Sequence, residues 1–188
     1  MAKRFPLLLL LILLCGCARQ ETDPALALRS RVLEKGCCFD AEITADYGDS
    51  LSVFGMRCQA DTAGNLSFTV IAPESIAGIS GNVAAGTGKL LFADKAVSFP
   101  LLADGLLTPA AAPWILVRTL RSGNLIASGP EGQSTRLTID DSFREDALRL
   151  DIWLDEAGSP VKADISYDGQ RYLSMGVQNF RTESEGGA

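Results

Sequence analysis

Histidine is absent from the 188-residue sequence, and basic residues are fewer than acidic ones. Without histidine the chain cannot build the Ser-His-Asp or Cys-His arrangements of nucleophilic catalysis, and it lacks the commonest metal ligand. The 17 lysines and arginines face 23 aspartates and glutamates, which gives a net charge of −6. An acidic chain disfavours nucleic acid and anionic lipid headgroups as partners.

Three fragments of catalytic or ion-binding motifs are present, and each lacks its companions. Residues 159–162 match the S-x-x-K spacing of penicillin-recognising enzymes, but the S-D-N and K-T-G motifs are missing. Residues 86–89 resemble a phosphate loop, but Val83 stands where its first glycine should be. The third fragment is an acidic run formed by Asp140, Asp141, Glu145 and Asp146. It suits calcium or an acid–base pair, although a solvated loop is the simpler interpretation. We therefore predict no catalytic residue, no cofactor and no metal site.

The first 16 residues are typical of a secretory signal peptide. Lys3 and Arg4 precede an apolar run over 5–14, which is short for a membrane span but suits the apolar segment of a signal peptide. The run ends in Leu14-Cys15-Gly16-Cys17, which resembles the bacterial lipobox. Cys17 is a better lipidation site than Cys15, because Gly16 precedes it whereas bulky Leu14 precedes Cys15. We predict cleavage after residue 16, a lipidated tether over 17–22, and a firm acyl anchor in the membrane.

A helix followed by a β-hairpin is predicted next. Asp23 can cap a helix that begins at Pro24 and stops at Gly36. From Cys37 the apolar residues alternate with polar ones through two runs that flank Gly48-Asp49. A two-residue loop would pair Phe39 with Cys58, and a four-residue loop would pair Cys37 with Cys58. Both alternatives place Cys37 and Cys58 on one face, so we predict a Cys37–Cys58 disulfide, with Cys38 left over on the other face.

The remaining chain reads as short strands interrupted by one apolar helix. The helix starts at Pro109 or Pro113 and ends at Gly123. A three-residue loop over 167–169 would pair Ala163 with Leu173 in the final hairpin. The further strands are predicted over 66–70, 79–84, 90–92, 96–99, 125–128, 135–140, 148–154, 161–166 and 171–180. We predict a mainly β (α+β) fold: one domain over 23–181, built on a single antiparallel, strongly curved sheet of about ten strands, with a disordered tail over 182–188.

This order of elements resembles the lipoprotein-carrier superfamily of the LolA, LolB and LppX type. The resemblance also extends to small lipoproteins of the spore-germination group. It rests on four short blocks at 39–43, 68–73, 161–169 and 177–180. It implies an unclosed barrel whose concave apolar face holds acyl chains, with the internal helix as a lid.

The resemblance also implies a ligand-binding surface. The lid candidates are Trp114, Leu116 and Leu120, and the lining candidates are Phe54, Met56, Phe68 and Val70. The alternative is that these side chains simply fill a core. The expected function is a non-enzymatic module at the extracytoplasmic face of the membrane, on the outer membrane if the host has one. Its ligand would be a lipid or a lipidated protein, or its partner an envelope protein such as a cell-wall enzyme.

Overall fold

A computed structural model describes residues 23–92, 95–100, 102–103, 106–144 and 147–182. The predicted signal peptide, Cys17 and its tether lie outside these ranges, as do residues 183–188 of the predicted tail. No helix in the described ranges is long and apolar enough to cross a membrane.

The first described element is helix α1 (Pro24–Lys35), and it follows the sequence prediction closely. The Asp23 carboxylate accepts a hydrogen bond of 2.9 Å from the Ala25 amide, which satisfies one of the free donors at the helix start. The buried face of α1 consists of Ala25, Leu28 and Val32. Gly36 ends the helix by donating its N–H to the Val32 carbonyl.

Eleven antiparallel strands form one open sheet, with the order β6-β5-β4-β3-β2-β1-β13-β12-β11-β10-β9. The edge strands β6 and β9 do not pair with each other, so the sheet is an unclosed one, which confirms the predicted fold class. A separate two-stranded ribbon joins β7 to β8. The strands are β1 (Cys37–Asp46), β2 (Leu51–Ala60), β3 (Leu66–Ala72), β4 (Ser80–Ala84), β5 (Thr87–Phe92), β6 (Lys95–Pro100), β7 (Leu102–Ala103), β8 (Leu106–Leu107), β9 (Asn124–Glu131), β10 (Ser134–Asp140), β11 (Arg149–Leu154), β12 (Pro160–Tyr167) and β13 (Gln170–Arg181).

Helix α2 (Ala112–Ser122) is buried on most of its surface. A 3₁₀ turn over Pro109–Ala111 leads directly into it, so both predicted starting points contribute to one helical segment. Arg29 on α1 donates to the carbonyls of Leu120 and Gly123 at 2.7 and 2.6 Å. These bonds satisfy carbonyls at the end of α2 and hold the two helices together over the concave side of the sheet.

The first hairpin adopts the two-residue-loop register. Phe39 lies opposite Cys58 and Cys37 lies opposite Ala60. The predicted Cys37–Cys58 disulfide is wrong for this structure: both thiols are buried on the core face, but no bond joins them. The register explains this, because diagonal neighbours across two strands are farther apart than the roughly 3.5–4.5 Å between Cβ atoms that a disulfide needs.

The last hairpin differs from its predicted register. Tyr167 pairs with Gln170, so the loop contains only Asp168 and Gly169, both with positive φ. This is the geometry that an Asp-Gly pair favours in a two-residue hairpin turn. A register shift after Ile165 then places Ala163 opposite Met175 rather than Leu173.

Candidate functional site

The concave side of the sheet divides into a covered and an uncovered part. We call strands β1–β3 and β10–β13, which lie under the helices, the packed region, and strands β4–β6 the open region. In the packed region the side chains that face the helices are almost completely buried, including Ile43, Leu137, Leu150, Ile152, Ile165 and Leu173. These residues form one continuous core with α1 and α2.

The predicted lid and lining residues lie in that core. Trp114, Leu116 and Leu120 of α2 are buried, and so are Met56, Phe68 and Val70 on the sheet beneath. Phe54 is half-buried and packs against the same cluster. A ligand can reach most of these side chains only if α2 moves away from the sheet. Their role in ligand binding therefore stays a prediction, while their packing into a core is what the geometry shows.

On the same face of the open region, Val83 of β4 is still fully buried, but the apolar side chains of β5 and β6 are half-buried or exposed. On neighbouring strands, Phe68 pairs with Gly81, Gly81 with Leu90, and Leu90 with Val97. These four positions therefore share the concave face. Phe92 follows Leu90 on that face, yet it is 64% exposed, and Val97 is 60% exposed. We call Leu90, Phe92, Val97 and Phe99 the apolar strip.

Two glycines make space for aromatic rings beside the apolar strip. A Cβ at Gly88 would lie 2.1 Å from the Phe99 ring, and a Cβ at Gly81 would lie 2.5 Å from the Phe68 ring. Each glycine therefore allows an aromatic ring to lie against the strand, which is a common role of glycine within sheets. The result is a shallow apolar surface that continues the buried face of β3.

The strands of the open region were predicted from the sequence, but the apolar strip was not predicted as a site. Alternation identifies a face, but it does not show whether that face is covered. The charge pattern gave a second indication of an apolar surface in this part of the chain. Residues 62–117 contain only five charged side chains, namely Glu74, Lys89, Asp94, Lys95 and Asp104. Low charge over so long a stretch is unusual for a solvated surface and indicates contact with something apolar.

The candidate chemical motifs are dispersed rather than gathered. Asp140 pairs with Arg149 at 2.9 Å, and Asp141 lies 3.6 Å from Arg118, while Glu145 and Asp146 lie outside the described residues. The Lys162 ammonium lies 4.2 Å from the centre of the Trp153 ring and 3.1 Å from Asp164. Among the described residues no cluster of histidine, cysteine or carboxylate side chains could hold a metal ion.

A polar site lies on the convex side near Cys38, where β13 bulges against β1. Asn179 has a positive φ at this register shift and donates 2.8 Å to the Asp40 carboxylate. That hydrogen bond, together with Arg57, holds the pKa of Asp40 below its usual value against the opposing effect of burial. Cys38 is buried here with its Sγ 3.9 Å from the Arg181 carbonyl. The cluster lies at the bulge, where Asn179 and Arg57 both contact the Asp40 carboxylate.

Comparisons with known proteins show a likeness of fold at low sequence identity. No family model matches the sequence, and no curated protein matches it. An uncharacterized conserved protein from Thermus thermophilus matches with a TM-score of 0.47 and 11% identity, over 86% of this chain and 89% of that one. A LolA superfamily protein from Nitrosomonas europaea matches with a TM-score of 0.44 and 6% identity, over 87% and 95%. The Mycobacterium tuberculosis lipoprotein LppX matches with a TM-score of 0.37 and 11% identity, over 85% and 96%.

Proposed function

We propose that the protein is a membrane-anchored extracytoplasmic lipoprotein, attached through Cys17, whose folded domain binds an acyl chain without catalysing a reaction. The chain would belong to a lipid or to a lipidated protein, and the apolar strip would receive it. The observation that carries the proposal is the exposure of Phe92 and Val97, at 64% and 60%, on a face whose other apolar residues are buried or half-buried.

The energy of such binding follows from the area that a guest would cover. Burying a side chain as large as Phe or Val is worth about 1.5–3 kcal/mol, and each buried methylene of a ligand about 0.8 kcal/mol. Association costs at least about 4 kcal/mol in lost freedom of motion. A guest that lies along the whole strip therefore gains enough to bind, but not enough to bind irreversibly. Reversible binding is what a carrier or a sensor of acyl chains requires.

Binding rather than catalysis is supported by the state of the polar side chains. Asp140 and Lys162, which belong to motif fragments that the sequence offered for chemistry, are engaged in ion pairs with Arg149 and Asp164. Those pairs lie on the convex side, away from the apolar strip. None of them faces a cavity in which a substrate could meet both an acid and a base.

The proposal is tested with an uncharged fluorescent probe, N-phenyl-1-naphthylamine, and the chain from residue 18 to 188, which contains every described element. We expect saturable binding that Phe92→Ser and Val97→Ser each weaken about tenfold to a hundredfold, because each loses about 1.5–3 kcal/mol of apolar contact. Phe143→Ser is the matched control, since Phe143 is the most exposed aromatic side chain of the described residues and lies on a turn outside the strip. Equal binding by all variants, together with an apo mass in native mass spectrometry, would contradict the proposal.

A second candidate function, an envelope protein partner, is favoured by the position of β6. This strand forms one edge of the sheet, so one side of its backbone is available for an added strand from another protein. A photo-cross-linker at Ser98 on β6 should capture such a partner in intact membranes, whereas the same group at Glu42 in the middle of the sheet should not. Equal capture at both positions would exclude pairing at this edge.

A further inference from the structure

A groove of about 580 Å³ lies between α2 and the turns at one end of the sheet. We call it the α2 groove. One wall comes from the two helices, and the other comes from the β2–β3 and β4–β5 turns. The side chains that matter for its chemistry are Leu33, Asn65, Trp114, Arg118, Arg121 and Ser122.

Arg121 has hydrogen-bonding capacity that the fold does not use. Its Nη1 atom is buried and has no hydrogen-bond partner among the described residues. The side chain lies flat on Gly64, where a Cβ would come within 2.9 Å of Arg121 Nε. The β2–β3 turn therefore supports the guanidinium without supplying an acceptor for Nη1. A buried donor without an acceptor costs about 1–3 kcal/mol, a cost that a small shift of the side chain toward an incoming oxygen atom would remove.

Arg118 adds a second positive charge to the same groove. Its guanidinium carbon lies 5.3 Å from the centre of the Trp114 ring, and its Nη1 is 3.6 Å from the Asp141 carboxylate. That separation from Asp141 is too long for a hydrogen bond, so the guanidinium keeps donors for another acceptor. Stacking on the ring holds it in place at the groove wall.

The local charge of the α2 groove is opposite to that of the whole chain. The net charge of the protein is −6, yet the groove lining contains two arginines and no acidic residue. Asn65 and Ser122 add neutral polar groups beside them. The overall acidity disfavours anionic surfaces as partners, but a single anionic group inside the groove meets two guanidinium groups at close range, where the interaction is least screened.

The α2 groove also has an apolar side that leads toward the open region. Leu33 and Trp114 contribute to its lining, as does Gly86 of the β4–β5 turn. Gly86 precedes Gly88 by two residues, and the Phe99 ring of the apolar strip lies on Gly88. An extended strand rises about 3.3 Å per residue, so the groove and the strip are separated by only about two residues of β5.

We infer that the α2 groove binds the anionic head of an amphiphile, a carboxylate or a phosphate monoester, whose acyl chain lies on the apolar strip. This inference rests on the proposed function and adds the class of headgroup to it. Arg121 and Arg118 donate charge-assisted hydrogen bonds to the head oxygens, and the strip covers the tail.

The test compares three ligands that share a ten-carbon chain and differ in the head: decyl phosphate, decanoate and decanol. Binding is followed by the fluorescence of Trp114 in a Trp153→Phe background, because Trp153 lies on the convex side and would add an unrelated signal. We expect both anions to bind about tenfold more tightly than decanol, which corresponds to one charge-assisted hydrogen bond. Inorganic phosphate alone is tested as a fourth ligand, because it distinguishes binding of an amphiphile from binding of a free anion.

Three variants test whether the preference for anionic ligands arises in the α2 groove. Arg121→Gln and Arg118→Gln should each bring the affinity for decyl phosphate close to that for decanol, with decanol binding unchanged. Ser122→Asp adds a negative charge to the groove from an exposed position, so it tests the inference even if an arginine variant loses stability. Arg57→Gln is the matched control, because it removes the same charge from an exposed site on β2 outside the groove.

The possible outcomes separate the two proposals. Preference for the anions that is lost in the groove variants, but kept in Arg57→Gln, supports the inference. Equal affinity for all three ligands overturns the headgroup assignment and leaves acyl-chain binding intact. Binding of inorganic phosphate as tight as that of decyl phosphate overturns the amphiphile and indicates a free anion. Absence of binding by every ligand overturns both the inference and the proposed function.

Discussion

The packed region and the open region are built from the same kind of strand, yet only one of them is covered. In both regions apolar side chains alternate with polar ones, and the register keeps them on one face. Ten gaps between eleven strands span roughly 48 Å, since neighbouring strands lie about 4.8 Å apart. The two described helices, each about 10 Å across, are too narrow to cover that whole width. The comparison teaches that the cover above a strand, and not the pattern of its residues, decides which apolar side chains become core.

The largest expected difference between the two regions concerns truncation of an apolar side chain. Leu150→Ala in the packed region should cost about 2–5 kcal/mol of unfolding free energy, because the side chain is fully buried and leaves a cavity. Val97→Ala in the open region should change it by less than about 0.5 kcal/mol, because that side chain is already largely in water.

Urea denaturation of both variants measures this contrast. A cost for Val97→Ala that approaches the cost for Leu150→Ala would mean that the open region is covered in solution. The division of the concave face into two regions would then be wrong.

A smaller contrast is expected between two glycines at the border of the regions. In Gly81→Ala the new Cβ would meet the Lys89 carbonyl at 2.6 Å as well as the buried Phe68 ring, so backbone must shift. We expect this substitution to cost about 1–3 kcal/mol. In Gly88→Ala the nearest atoms all belong to the Phe99 ring, which is only half-buried and can swing outward. That variant should cost less than about 1 kcal/mol, since alanine also restricts the unfolded chain.

Thermal and urea unfolding of the two glycine variants give the comparison directly. The same preparations should be titrated with N-phenyl-1-naphthylamine. Gly88→Ala should weaken probe binding, because it moves the Phe99 ring out of the apolar strip. An equal cost for both substitutions would show that Phe99 is held as firmly as Phe68, contrary to an open strip.

Local signals in the sequence predicted most of the architecture. The cap at Asp23, the stop at Gly36 and the apolar spacing of Ala25, Leu28 and Val32 were sufficient for α1, because helix ends depend on the nearest few residues. Gly48 with Asp49, and the residues 167–169, marked where the two hairpins turn, although the second loop is one residue shorter than predicted. Nearly all strands were predicted by alternation alone.

The strand register and the way the helices cover the sheet could not be predicted from the sequence. The disulfide was predicted because either loop length places Cys37 and Cys58 on one face, but in the observed two-residue-loop register they are diagonal rather than direct neighbours. The final hairpin contains a register shift after Ile165, and no residue pattern indicates such an irregularity. The α2 groove was missed because Arg118 and Arg121 meet Asn65 only through the tertiary fold.

The smallest expected effect is a pH dependence confined to the packed region. Burial on β2, reinforced by neighbouring Cys37 and Asp40, raises the pKa of the Cys58 thiol well above its usual value. In the unfolded chain a thiol ionises near pH 8.5. A folded-state pKa that lies above the unfolded one stabilises the fold fully below about pH 8.5, and this contribution is lost as the pH rises.

Between pH 7.5 and 9.5 the unfolding free energy of the native chain should therefore fall by about 1.4 kcal/mol through Cys58. Most of this loss occurs over the one pH unit above about 8.5, where the unfolded thiol ionises and the folded thiol does not. Cys58→Ala should remove that part of the pH slope, whereas Val70→Ala, a comparable truncation on the same face, should keep it. Urea denaturation at the two pH values measures the slopes, and alkylation of Cys58 by iodoacetamide in native buffer should be slow until urea is added. Rapid native alkylation, or an unchanged slope in Cys58→Ala, would place the thiol in contact with water. The packed region would then be open at β2 as well, and the contrast on which acyl-chain binding depends would disappear.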